Sequence, residues 1–194
     1  LKLLNDAREK TEAYIDTLHT PNIGQKPKPR TYRRKARKDF LALIKQKQPG
    51  AKKIRKAIGK QLNYLQRNLG HIDNLLDQGS SLSLLKPYHQ RCLRVIYTLY
   101  QQQRTMHETR THSIADRIVS ISQPHVRPIV RGKAGKRVEF GAKISISHIL
   151  GGYVTLGKLS WDAYNEGGDL AGQIEDYHQR LGYYPASVHA DTIY

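Results

Sequence analysis

The chain has 194 residues and a single cysteine, Cys92, so an intramolecular disulfide framework and any multi-cysteine zinc module are excluded. It has no apolar run of about 18 residues, the length a membrane-crossing helix needs. Acidic residues are scarce: 16 Asp and Glu stand against 33 Lys and Arg, a net charge of +17 with an isoelectric point near 10.0. Apolar residues make up 38%, which is enough for a core and rules out wholesale disorder. The sequence opens without a secretory leader and on Leu1 rather than methionine. An internal piece of a longer protein, with the cytoplasm as its simplest address, is therefore expected.

The positive charge is concentrated. Residues 26–60 hold 15 basic side chains and one acid, Asp39, a net of +14. At the other end, residues 161–194 carry six acids and only Arg180, a net of −5. A field this lopsided predicts a polyanionic partner for the first half. Arg30, Arg33, Arg34, Lys35, Arg37 and Lys38 form its densest part and are the first candidates for DNA contact. Such contacts read phosphate, not base sequence.

Periodicity separates two regions. Leu4, Ala7, Thr11, Tyr14 and Leu18 recur at helical spacing until Pro21. A second helix is predicted over 32–47, with Tyr32, Ala36, Phe40 and Leu43 on its apolar face and Gln48-Pro49-Gly50 as the break. Ile54, Ile58, Leu62, Leu65, Leu69, Ile72 and Leu76 make a seam for a third helix, serving either an internal hairpin or a homodimer, with the hairpin favoured because Leu93, Ile96 and Tyr100 can cover it. Pro87 suits the first turn of a fourth helix, giving a helical hairpin or small bundle. Beyond it, residues 123–137 read as a Pro- and Gly-rich loop. From Val138 the period drops to two, Gly151-Gly152 marks a turn, and residues 153–160 form the return strand. A helix on Leu170, Ile174, Tyr177 and Leu181 ends at Gly182, and 186–190 reads as a short strand delivering Asp191. The division is 1–122, mostly helical, and 123–194, with the order of half an α/β sheet.

Few residues suggest chemistry by themselves. The nine histidines lack cysteine partners and lack zinc-site spacing, so a zinc site is rejected. Gly132-Lys-Ala-Gly-Lys136 is followed by Arg137 where a phosphate loop needs Ser or Thr, and reads as a flexible basic loop touching backbone phosphates. Trp161, Tyr164, Asn165 and Glu166 read as packing and helix entry, with base stacking as the alternative. Asp191 alone reads as a cap or turn acid, although the carboxyl end of a strand is where α/β sheets place ligands. Asp162 and Glu166 are weaker candidates for metal ligands.

Four ordered motifs carry a resemblance. Arg117-Ile-Val-Ser-Ile-Ser-Gln-Pro-His-Val-Arg-Pro-Ile-Val-Arg-Gly-Lys-Ala-Gly-Lys136, Val138-Glu-Phe-Gly-Ala-Lys-Ile-Ser145, Leu159-Ser-Trp-Asp-Ala-Tyr-Asn-Glu166 and His189-Ala-Asp-Thr-Ile-Tyr194 resemble DDE transposases of bacterial insertion sequences. The group is the one related to insertion sequence five, with a helical segment inserted in the catalytic domain. The resemblance implies an α/β fold: a partial ribonuclease-H-like catalytic domain of hairpin, helix and strand, preceded by a helical basic insertion. It implies metal-dependent DNA cleavage and strand transfer, with two Mg2+ ions held by three carboxylates. Asp191 maps onto the second of these; the first Asp is expected before Leu1 and the Glu after Tyr194. Lys143, Lys133, Lys136 and Arg131 become candidate DNA-backbone contacts near the site. With Asp191 alone, this chain is expected to bind no ion pair and to be inactive by itself. The rival reading is a non-catalytic remnant that binds DNA or pairs with intact transposase.

Overall fold

Proline and glycine punctuate helices whose apolar faces must find one another, and a computed structural model shows how they do. It describes residues 1–130, 138–149, 151–162 and 164–190. The chain divides into two units, Leu1–Pro124 and His125–Tyr194. The architecture is mixed: helices with two small antiparallel sheets of two strands each.

The first unit holds α1 (Lys2–Leu18), α2 (Arg33–Ile44), α3 (Ala51–Asp77) and α4 (Pro87–Thr109). Pro21 lies in a 3-10 turn (Thr20–Asn22) that ends α1, and the Ser80 hydroxyl donates to the Leu18 carbonyl at 2.9 Å, satisfying an orphan acceptor of the last turn. The α3 seam is buried within the chain: Leu62, Leu65, Leu69, Ile72 and Leu75 pack with Leu4, Ala7, Ile15 and Leu18 of α1 and Leu93, Ile96 and Leu99 of α4. Each of these leucines and isoleucines contributes about 1.5–3 kcal/mol by leaving water. Ile54 stays exposed, so the first turns of α3 project beyond this core. Ile118 and Ile121, on irregular chain, join the cluster.

α2 is shorter than its pattern. Tyr32 adopts φ +56°, a left-handed conformation that a bulky residue takes at a cost of about 1–3 kcal/mol, so the helix begins only after it, and it ends at Ile44 rather than Lys47.

A polar network crosses the same core. Arg8, 1% exposed, donates to Glu12 at 2.5 Å, Asn5 at 2.7 Å and Gln61 at 3.2 Å. Gln61 in turn donates to the Ala36 carbonyl of α2 at 3.0 Å, and Asn68 donates to Thr11 at 3.1 Å. These bonds fix α1, α2 and α3 in register.

The second unit holds β1 (Arg127–Val130), β2 (Val138–Gly141), β3 (Lys143–Ile149), β4 (Tyr153–Ser160) and α5 (Asp169–Leu181). β1 corrects the expected loop: it pairs antiparallel with β2, Ile129 opposite Glu139. Pro128 argued against a strand there, but a two-stranded sheet has only edges, where a missing N–H is tolerated. The strand expected from Val138 onward is divided at Gly141, whose φ of +154° suits glycine. β3 pairs with β4, Ile144 opposite Leu159 and Ile146 opposite Leu156. The register slips between Ser145 and Ile146, leaving Gly157 as the extra residue of a bulge. A Cβ there would meet Gln173 Cγ of α5 at 3.2 Å. Gln173 holds α5 to β3 through hydrogen bonds with Ser145 and Ser147. α5 ends as predicted, Gly182 at φ +80° donating to the His178 carbonyl at 2.8 Å.

The strand expected over 186–190 is not formed. A strand needs a neighbour for its backbone donors and acceptors, and among the described residues none lies beside it. The face of β3–β4 away from α5 carries Ile144, Ile146, Val154, Leu156 and Leu159, all exposed.

Candidate nucleic-acid interface

Ala36 and Leu43 bury one face of α2, which turns the opposite face outward. Arg34, Arg37, Lys38, Leu41, Ala42 and Lys45 fall at i, i+3, i+4, i+7, i+8 and i+11 and line one open concavity of about 430 Å³. The stripe is about 16 Å long at ~1.5 Å per residue. Arg34, Arg37, Lys38 and Lys45 are exposed, and none has a carboxylate partner among the described residues.

The other cations of 26–60 divide into anchors and free groups. Asp16 of α1 accepts from both guanidinium ends of Arg33, at 3.1 and 2.7 Å, and pairs with Lys28 at 2.6 Å. Asp39 pairs with Lys60 at 2.9 Å and accepts from the Tyr64 hydroxyl at 2.9 Å. Arg55 donates to the His107 carbonyl at 3.0 Å. Burial alone would raise both aspartates, but the bonds from Arg33 and Lys28, and from Lys60 and Tyr64, outweigh it and hold each carboxyl below its ordinary 3.8. Lys35 adds to the field on Asp39. Lys47, Lys52, Lys53 and Lys56 are exposed without acid partners among the described residues.

A lowered carboxyl gives stability that is complete above its ordinary value and is lost as pH falls through the lower folded value. Asp16→Asn is therefore expected to cost about 0.5–1 kcal/mol at neutral pH, the scale of a partly exposed pair. It should also flatten the decline of stability below pH 4 or so. Urea midpoints across that range check both.

Stability does not account for where the free cations sit. The first turn of α2 is Arg33, Arg34, Lys35, and that of α3 includes Lys52 and Lys53; neither contains an acid. Helix N-termini carry about half a positive charge, so each such cation is unfavourable by ~0.3–1 kcal/mol.

Sequence reasoning marked the region but could not separate anchors from free cations, because Asp16 lies outside it. Arg67 was missed: it belongs to α3 beyond the dense run, and its guanidinium stands 4.6 Å from the Tyr32 ring centroid. The signal was its place at i+7 from Lys60.

In the second unit Lys143 is tied down. Its ammonium donates to the Tyr164 carbonyl at 2.7 Å and pairs with Glu166 at 3.1 Å. Lys158 lies 4.0 Å from the Tyr164 ring centroid. Asn165 caps the turn Glu166–Gly168 by accepting from the Gly167 N–H at 3.1 Å, the expected helix entry, and Trp161 meets His125 edge-on at 4.4 Å. Arg131, Lys133, Lys136 and Asp191 lie outside the described residues.

The described residues do not supply a metal site. No three His, Cys, Asp or Glu side chains converge among them, Glu166 is taken up by Lys143, and Asp162 is exposed. Nor is any helix among them long and apolar enough to cross a membrane. No protein-family model, no curated protein and no solved structure matches the chain.

Proposed function

We propose that the chain is part of a DDE-type DNA transposase and that its helical unit holds DNA by neutralising backbone phosphates. The observation that carries this reading is the outward stripe Arg34, Arg37, Lys38 and Lys45, four cations on one helix face without carboxylate partners among the described residues. Phosphates along one DNA strand advance about 3.4 Å each, so the stripe matches roughly five of them. The transposase assignment rests on the four motifs between residues 117 and 194. The exposed aliphatic face of β3–β4 supports it too, since a sheet with one helix layer needs a second layer over such a face. Element ends and target DNA are the partners in this reading, and a cytoplasmic, nucleoid-associated location goes with them.

Titrating duplex binding against salt tests it. Each neutralised phosphate contributes ~0.9 to the slope of log affinity against log salt, so the stripe alone predicts a slope of roughly −4, steeper where Lys52, Lys53 and Lys56 also engage. An affinity indifferent to salt would contradict the proposal.

The enzymatic half has its own test. In this reading Mg2+ is the cofactor of the complete catalytic centre, which requires carboxylates converging on the ions. Of that set only Asp191 has been assigned in this chain, so no catalytic step is derived for it. The 194-residue chain is expected to show no metal-dependent nicking of supercoiled DNA. Nicking that disappears in Asp191→Ala would overturn that expectation.

A further inference from the structure

Tyr32 combines three features that the stripe on α2 does not explain. It is a bulky residue at φ +56°, it is 40% exposed, and two guanidinium groups stand within 5 Å of its ring centroid. Arg30 stands 4.8 Å from the ring centroid and Arg67 4.6 Å, with Arg67 also 5.9 Å from Tyr64. The His71 imidazole lies 3.4 Å from the Arg30 carbonyl, which ties the connector to α3.

Both guanidiniums are exposed, and neither has a carboxylate partner among the described residues. Asp16 is committed to Arg33 and Lys28, and Asp39, the one acid of α2, to Lys60 and Tyr64. Two like charges drawn to one ring repel each other, and the ring quadrupole offsets this only in part. A phosphate bound by these guanidiniums offsets that repulsion. Planar guanidinium forks match the oxygens of a phosphate, and a ring that fixes them in advance reduces the ordering cost of binding.

We propose that Arg30 and Arg67, held on Tyr32, form a second phosphate-binding site for a DNA backbone, separate from the stripe on α2. The inference rests on the proposed function and adds to it a contact from α3 and a positioning role for Tyr32. The left-handed turn at Tyr32 sets where α2 begins and brings Arg30 to the ring that Arg67 also reaches.

The test is salt-titrated binding of the 194-residue chain to a random-sequence duplex. Arg67→Gln is expected to lower affinity about ten-fold at ~0.1 M salt and to reduce the slope by about one. Arg30→Gln should do the same, and it decides the question if Arg67→Gln unfolds the bundle, since Arg30 lies on the exposed connector. Tyr32→Asn tolerates the left-handed backbone but removes the ring, and should weaken binding several-fold at an unchanged slope; Tyr32→Phe should restore it. Unchanged affinity and slope in folded Arg67→Gln and Arg30→Gln, while Arg34→Gln still reduces the slope, would overturn this site and leave the proposed function standing. A salt-independent affinity in the unsubstituted chain would overturn both.

Discussion

Replacing Arg34, Arg37, Lys38 and Lys45 together by glutamine is expected to lower duplex affinity by about three orders of magnitude at ~0.1 M salt. The slope of log affinity against log salt should flatten by roughly 3.6, which is ~0.9 for each lost contact. None of the four has a carboxylate partner among the described residues, so the change leaves no acid unpaired and opens no cavity. The fold should therefore survive. Removing Arg34 from the first turn of α2 relieves an unfavourable charge there and should raise stability by a few tenths of a kcal/mol. Binding titrations paired with urea unfolding separate the two effects. A loss of less than ten-fold with an unchanged slope would move the principal contact away from α2. Replacing anchors gives a contrasting pattern: Arg33→Gln breaks the bidentate bonds to Asp16, and its expected cost falls on stability.

How much of this was legible depends on which force set each feature. Where apolar burial alone decides, period sufficed: the spacing of Leu62, Leu65, Leu69 and Ile72 marked α3, and all four are buried. Backbone chemistry was equally readable at Gly151 and Gly152, both at positive φ, and at Gly182. Features that depend on distant partners were not readable. Arg8, Gln61 and Asn68 are polar residues in buried positions, and a hydrophobic pattern counts each as surface. Their burial is accounted for by hydrogen-bond partners that only the fold brings near, as across the 53 residues between Arg8 and Gln61. Strands failed in both directions for a related reason. The pairing of β1 with β2 overrode the proline signal at Pro128, whereas 186–190 had strand-like residues and no neighbouring strand among the described residues. For the candidate interface, charge density located the region, but freedom of individual cations is a tertiary property. Arg33 and Arg34 are adjacent in sequence, and only the position of Asp16 makes one an anchor and the other a free contact.

The largest stability change is expected at Arg8. Arg8→Met should destabilise the helical unit by about 3–5 kcal/mol at neutral pH, because it strands a buried carboxylate. Glu12 is 6% exposed and would lose its bond at 2.5 Å, while Asn5 and Gln61 would lose their donor. For a domain of ordinary stability, about 5–15 kcal/mol, a loss of this size approaches unfolding. The double change Arg8→Met with Glu12→Leu should recover most of it, since two apolar groups of similar volume pack where an ion pair stood. What remains is the unmet acceptors of Asn5 and Gln61, about 1 kcal/mol each. The pH dependence supplies an independent check. Burial raises the Glu12 carboxyl above its ordinary 4.5, and the bond and charge of Arg8 oppose that rise. Without Arg8 only the more distant charge of Arg33 opposes the raising influence of burial, so the folded state binds a proton more tightly than the unfolded chain. Stability of Arg8→Met should then increase as pH falls from neutral through the raised value, and the gap to the parent chain should narrow. Urea midpoints at constant m-value, measured from pH 7 to 5, read this directly. A loss below about 1 kcal/mol that does not change with pH would mean that water reaches Glu12 and that the Arg8–Glu12 pair within α1 is screened like a surface pair.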